Sequence, residues 1–133
     1  CVMTAVLLHK ATAVNGPLLV IPGTHKLGMS EDVRPEADAK GYTVMEINES
    51  IVTDLAGRQG IEPVMGSAGT VAFIHCNLIH GSASNVSPWP RAIIYLNYNL
   101  VSNRPTGGNQ RAWFHNNPNP APLEVGSDQA LAA

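Results

Sequence analysis

The apolar residues of this chain come in short runs, and glycine or proline stops nearly every one. LLVI (residues 18–21) lies between Asn15-Gly16-Pro17 and Pro22-Gly23. TVAFIH (70–75) follows Gly66-Ser67-Ala68-Gly69, and AIIYLNYN (92–99) follows SPWPR. Gly tolerates positive φ and Pro presets its own, so these pairs fix turns. Runs of about four to eight residues between turns are strand-length and too short for a buried helix. The pattern predicts an all-β double sheet or barrel. Composition agrees: charged residues make up 14%, with twelve Gly and ten Pro, against ~25% charged in ordinary soluble domains.

Read in order, residues 2–9 form a buried strand and 18–21 a short one. Residues 27–41 turn polar without periodicity and read as a surface loop. A short strand is expected over 42–47. Asn48 then makes an N-cap, Glu49 suits the helix dipole, and Ile51, Val52 and Leu55 fall at helical spacing before Gly57 or Gly60. This is the one helix the sequence supports. Further strands are expected over 62–65, 70–75, around His80-Gly81-Ser82, and over 92–99. Side chains alternate along a strand, so His80 and Ser82 share one face, and Arg91, Ile93, Tyr95 and Asn97 share another. Residues 102–109 are turn-rich, and 111–115 form a small basic-aromatic patch around Trp113-Phe114. Residues 116–133, with few large apolar side chains, read as surface-wrapping or disordered. The chain thus divides into a β domain over 1–101 and a loop-rich extension over 102–133.

The net charge of −2 and the absence of a Lys/Arg cluster exclude a nucleic-acid surface. No apolar run reaches the ~20 residues of a membrane span. Cys1 and Cys76 do not make a disulfide framework. Cys76 reads as a buried thiol, and the compartment as a reducing cytoplasm. The sequence opens at Cys1 inside an apolar run, which suggests the later part of a longer protein.

NGPLLVIPGTHK (15–26) together with GTVAFIHCNLIHGSASNVSPWPR (69–91) resembles the phytanoyl-CoA dioxygenase family, and the likeness extends over residues 2–99. The resemblance implies a double-stranded β-helix (a jelly-roll, cupin-like core). It also implies an Fe(II)- and 2-oxoglutarate-dependent dioxygenase that hydroxylates a small molecule. By position, His80 looks like the distal histidine of the metal triad. Arg91 looks like the partner of the far carboxylate of 2-oxoglutarate, with Ser82 its hydrogen-bonding helper. The chemistry suits these roles: a 2-His-1-carboxylate face leaves positions on iron for a chelating oxo acid. A guanidinium fork holds a carboxylate through paired, charge-assisted bonds. Tyr95 would face the same pocket.

The triad also needs a His-x-Asp or His-x-Glu pair. The five histidines here, His9, His25, His75, His80 and His115, are followed two places later by Ala11, Leu27, Asn77, Ser82 and Asn117. The resemblance therefore implies a fragment with one of three ligands, lacking the first strands of its barrel and silent by itself. Exposed strands would favour a homo-oligomer. The reading from another class is a non-catalytic β-sandwich module that binds a small carboxylate or a protein partner. Each site residue also has a plainer role open to it. His80 fits as a satisfied loop histidine, Arg91 as the partner of a surface acid, and Ser82 as turn chemistry. His25 fits as a backbone-bonded histidine beside the Pro-Gly turn, His75 and Asn77 as strand-end polar groups, and Trp89 as a residue packing over its loop.

Overall fold

The computed structural model describes residues 1–28, 33–37, 43–103 and 121–127. The chain divides into two compact units, Cys1–Tyr98 and Asn99–Ala133. The first contains eight strands and one α-helix: β1 (Val2–Leu7), β2 (Leu18–Val20), β3 (Val33–Ala37), β4 (Thr43–Ile47), α1 (Glu49–Gln59), β5 (Glu62–Val64), β6 (Val71–His75), β7 (His80–Ser82) and β8 (Ile93–Tyr98). A single turn of 3-10 helix, Thr24–Leu27, follows β2.

Six strands build two antiparallel three-stranded sheets, ordered β6-β1-β8 and β5-β2-β7. From β5 onward the chain crosses from one sheet to the other at each strand, as a double-stranded β-helix requires. The core lies between the sheets. Met3, Ala5 and Ile74 from the first meet Leu18 from the second, with Val20, Val64, Ala72, Leu78 and Ile93 packed around them. Each large aliphatic side chain removed from water here contributes roughly 1.5–3 kcal/mol, which is why the short apolar runs become strands of paired sheets.

The helix forms where its signals predict. Asn48 accepts a hydrogen bond from the Ser50 N–H, and Gly60 closes the C-terminus at φ 75°. Two sequence expectations need correction. The stretch 27–41 is not all loop, because β3 lies within it and pairs with β4, Val33 opposite Ile47. Polar composition hid a hairpin whose register comes from its partner strand. Residues 29–32 and 38–42 lie outside the described residues, as do 104–120 with the Trp113-Phe114 patch and 128–133.

The second correction concerns the cysteines. Cys1 and Cys76 form a disulfide, with Cα atoms 5.6 Å apart. The antiparallel register that sets Val2 opposite His75 brings the preceding and following cysteines face to face, within the usual disulfide range. A separation of 75 residues concealed this. The free-thiol argument for a reducing compartment falls with it. Among the described residues, no helix is long and apolar enough to cross a membrane.

In the second unit, Asn99 and Asn103 bond each other's side chains, and the Asn103 N–H donates to the Leu100 carbonyl at 2.9 Å. Residues 122–127 carry no regular structure.

Candidate cosubstrate and metal site

Register decides which side chains face the gap between the sheets. On β7, His80 pairs with Val20 and Ser82 with Leu18, so both share the core-facing side of β2. On β8, Tyr95 lies opposite Ala5 and Asn97 opposite Met3, both on the buried side of β1. The two faces look towards each other across a cleft of about 1210 Å³. His80, Ser82, Asn77, Tyr95 and Asn97 line it, and α1 borders it with Ser50, Ile51, Asp54, Leu55 and Arg58, which form one helical stripe.

The expected residues come together only in part. The Arg91 Nη2 donates to Ser82 Oγ at 2.9 Å. Its Nε is buried and has no hydrogen-bond partner among the described residues. A buried, unpaired N–H of a cation is costly, and a ligand carboxylate seated there would relieve that cost. Arg91 precedes β8 and does not line the cleft itself. It reaches the wall through Ser82.

The His80 Nδ1 lies 2.8 Å from the Leu78 carbonyl oxygen. A carbonyl only accepts, so Nδ1 is the donor in this contact, and in the neutral ring Nε2 would be the nitrogen left to a metal, the arrangement that second-layer bonds impose on metal-binding imidazoles. Among the described residues, no group of three His, Cys, Asp or Glu is arranged to hold a metal ion. The His-x-Asp pair absent from the sequence has no spatial substitute there.

The plainer roles sort out as follows. His25 stacks near His75, ring centroids 5.5 Å apart, and His75 Nδ1 accepts from the Asn77 N–H at 3.1 Å. Trp89 is 59% exposed, and its backbone carbonyl accepts from Asn85 Nδ2 at 2.7 Å.

Two supporting residues escaped sequence reasoning. Thr24, 1% exposed, donates through Oγ1 to the Ile21 carbonyl at 2.8 Å and accepts from the Ile79 N–H at 2.9 Å. It thereby fixes the residue before His80. Asn15, fully buried, accepts from the Thr12 N–H at 2.8 Å and donates to the Lys10 carbonyl at 2.8 Å. Each stands beside a turn that the sequence marks, at Asn15-Gly16-Pro17 and Pro22-Gly23-Thr24. The only available signal was a polar residue flanking a turn between apolar strands.

Comparison with known proteins resolves the family. The sequence profile of phytanoyl-CoA dioxygenase (PhyH) matches residues 1–93. This chain belongs to the phytanoyl-CoA dioxygenase family. Ectoine dioxygenase of Sphingopyxis alaskensis is 41% identical over 119 residues, covering 83% of this chain and 39% of that protein. L-proline trans-4-hydroxylase of Streptomyces griseoviridis is 36% identical over 110 residues, covering 76% of this chain and 41% of that protein. The crystal structure of EctD from S. alaskensis with bound Fe superimposes with a TM-score of 0.64 at 39% identity, over 85% of this chain and 37% of that one. The same protein with 2-oxoglutarate and 5-hydroxyectoine matches equally. Ectoine dioxygenases of other bacteria match as well, so within the family the chain is similar to the ectoine hydroxylases. The chain spans about two fifths of the length of these relatives.

Proposed function

We propose that this chain is the cosubstrate-binding part of an Fe(II)- and 2-oxoglutarate-dependent dioxygenase that hydroxylates a small molecule. The observation that carries the reading is the Arg91–Ser82 pair with its buried Nε unpaired among the described residues, its serine on the same strand as the His80 imidazole. Arg91 and Ser82 would hold the far carboxylate of 2-oxoglutarate, and His80 would supply one ligand to iron. When bound, the iron and the oxo acid supply the O₂ activation that hydroxylates a C–H bond. The protein's part is to orient and to exclude water. Arg91 fixes the cosubstrate's distal end, Tyr95 and Asn97 floor the cleft, and α1 screens one side. The remaining ligands would come from polypeptide outside the described residues. Ectoine and L-proline, the compounds named in the relatives, are the substrates to test first.

The test is an anaerobic titration of the chain with Fe(II) and 2-oxoglutarate, following the metal-to-ligand charge-transfer absorption. A saturable band that is lost in His80→Ala and weakened in Arg91→Ala supports the reading. A folded chain that binds no 2-oxoglutarate overturns the reading, and one that binds it without any band keeps the carboxylate anchor but holds no iron by itself.

Self-association of two copies through exposed strands is proposed alongside. The outer face of the β6-β1-β8 sheet carries Phe73, 77% exposed, with Val71, Ile94, Leu96 and Tyr98 on the same side, and β6 and β8 are edge strands. Light scattering should show a dimer or larger species at micromolar concentration. A strictly monomeric profile removes the proposal.

A further inference from the structure

Arg91 and its partner Ser82 are nine residues apart, joined by residues 83–90, which form no strand. A segment without a ladder of its own cannot set the distance between its ends. What it rests on must do so. It rests on the Asn15-Gly16-Pro17 turn.

The contacts fall at both ends of the segment. Gly16 has φ +72°, and a Cβ built there would lie 2.7 Å from the Ala83 carbonyl oxygen and 3.1 Å from the Asn85 nitrogen. The backbone next to Ser82 therefore comes down on bare glycine, which both the left-handed conformation and the close approach demand. At the other end, Asn15 Nδ2 reaches the Pro90 carbonyl at 3.5 Å, one residue before Arg91. Between these points the Val86 N–H faces the Val14 carbonyl at 3.4 Å. Asn85 draws the segment closed, accepting from the Ser87 N–H and Oγ at 2.9 Å each and donating to the Trp89 carbonyl at 2.7 Å. Beyond the turn, Leu18 pairs directly with Ser82. One turn thus gauges the positions before and after the guanidinium–hydroxyl pair.

We infer that Asn15 and Gly16, with Asn85 in the loop they carry, are positioning residues that hold the Arg91 guanidinium in register for a dicarboxylate. The inference rests on the reading of Arg91 as a carboxylate anchor. Binding sites lose affinity when supporting contacts leave the charged group free to wander, and errors of about 1 Å cost up to a hundredfold.

The experiment follows the Arg91 Nε–Hε cross-peak in the ¹H–¹⁵N spectrum of the full chain, assigned by its disappearance in Arg91→Lys. The chain is titrated with 2-oxoglutarate and with pyruvate, which lacks the distal carboxylate. In the wild type the peak should be resolved and should move with 2-oxoglutarate but not with pyruvate. In Gly16→Ala it should collapse towards the position of a free arginine, and 2-oxoglutarate affinity should fall about tenfold. Asn85→Ala, at an exposed residue, should do the same to a smaller extent, and it decides the matter where Gly16→Ala does not fold. Folded variants with an unmoved peak and unchanged affinity overturn the inference. A wild-type peak indifferent to 2-oxoglutarate overturns the reading beneath it.

Discussion

The arginine end of the cleft and its histidine end are held by different means. At the arginine end, the segment before Arg91 is seated on a neighbouring turn by non-covalent contacts: a bare glycine, a buried asparagine amide and the Asn85 loop closure. At the histidine end, residues 76–79 are pinned at their start by the Cys1–Cys76 disulfide and at their finish by Thr24 and by the Ile21 N–H donating to the Ile79 carbonyl at 3.0 Å. The arginine end also brings two side chains into direct contact, Arg91 Nη2 donating to Ser82 Oγ. The histidine end presents one imidazole in the cleft and, among the described residues, no group of three or more potential metal ligands. A carboxylate anchor can be assembled locally from one loop and the turn beneath it. A metal centre needs ligands of fixed geometry converging from several strands, so it cannot be completed by local contacts alone.

The strongest test of this contrast is reduction of the disulfide, or Cys76→Ser. Closing a loop of 75 residues stabilises by about 4 kcal/mol on the chain-entropy account. Thermal unfolding of the oxidised and reduced chain should show a loss of that order. Amide exchange should accelerate over 76–80 and stay unchanged over 83–91. Equal loosening of both segments would show that the two ends form one cooperative unit.

Thr24→Val sharpens the contrast at smaller amplitude. The substitution keeps the shape but removes the hydroxyl, leaving the Ile79 N–H unpaired and the Ile21 carbonyl with only the long bond from the Thr24 N–H at 3.5 Å. The expected destabilisation is about 1–3 kcal/mol, read from denaturant unfolding. The Arg91 Nε–Hε signal should be unaffected, because none of the contacts seating residues 83–91 runs through Thr24. A shift there would mean that the two ends communicate through β2.

How much of this was legible in the sequence follows from the range of the forces involved. Turns and caps are local, so Asn15-Gly16-Pro17, Pro22-Gly23 and the Asn48 cap could be read residue by residue, and the strands between them followed. Alternation placed His80 with Ser82 and Tyr95 with Asn97 before any pairing was known. The family resemblance supplied the expected roles of His80, Ser82 and Arg91; the structure adds the bond between Arg91 and Ser82 and the contact of His80 Nδ1 with the Leu78 carbonyl. The disulfide, the β3–β4 hairpin and the hub roles of Asn15 and Thr24 depend on register between distant segments, and composition carries no trace of that. The same turn that reads as a simple reversal between strands proves to be the seat of a loop some seventy residues further on.

Helix α1 offers the control for the comparison, since it borders the cleft yet supplies none of the hydrogen bonds that hold either end. Asn48 accepts from both the Ser50 N–H and its hydroxyl. Asn48→Ala should cost about 1 kcal/mol, the usual value of an N-cap, while the Arg91 cross-peak and exchange over 76–80 remain as in the wild type. Asp54→Ala should cost less still. Asp54 and Arg58 pair one helical turn apart, but their side chains are 61% and 64% exposed, so solvent screens the attraction and the loss should stay within about 0.5 kcal/mol. Chemical denaturation of the two variants side by side should rank them in that order. If Asp54→Ala proves the costlier, or if either change disturbs one end of the cleft, then α1 is part of the site's scaffold, and the division into two independently held ends has to give way to a three-walled one.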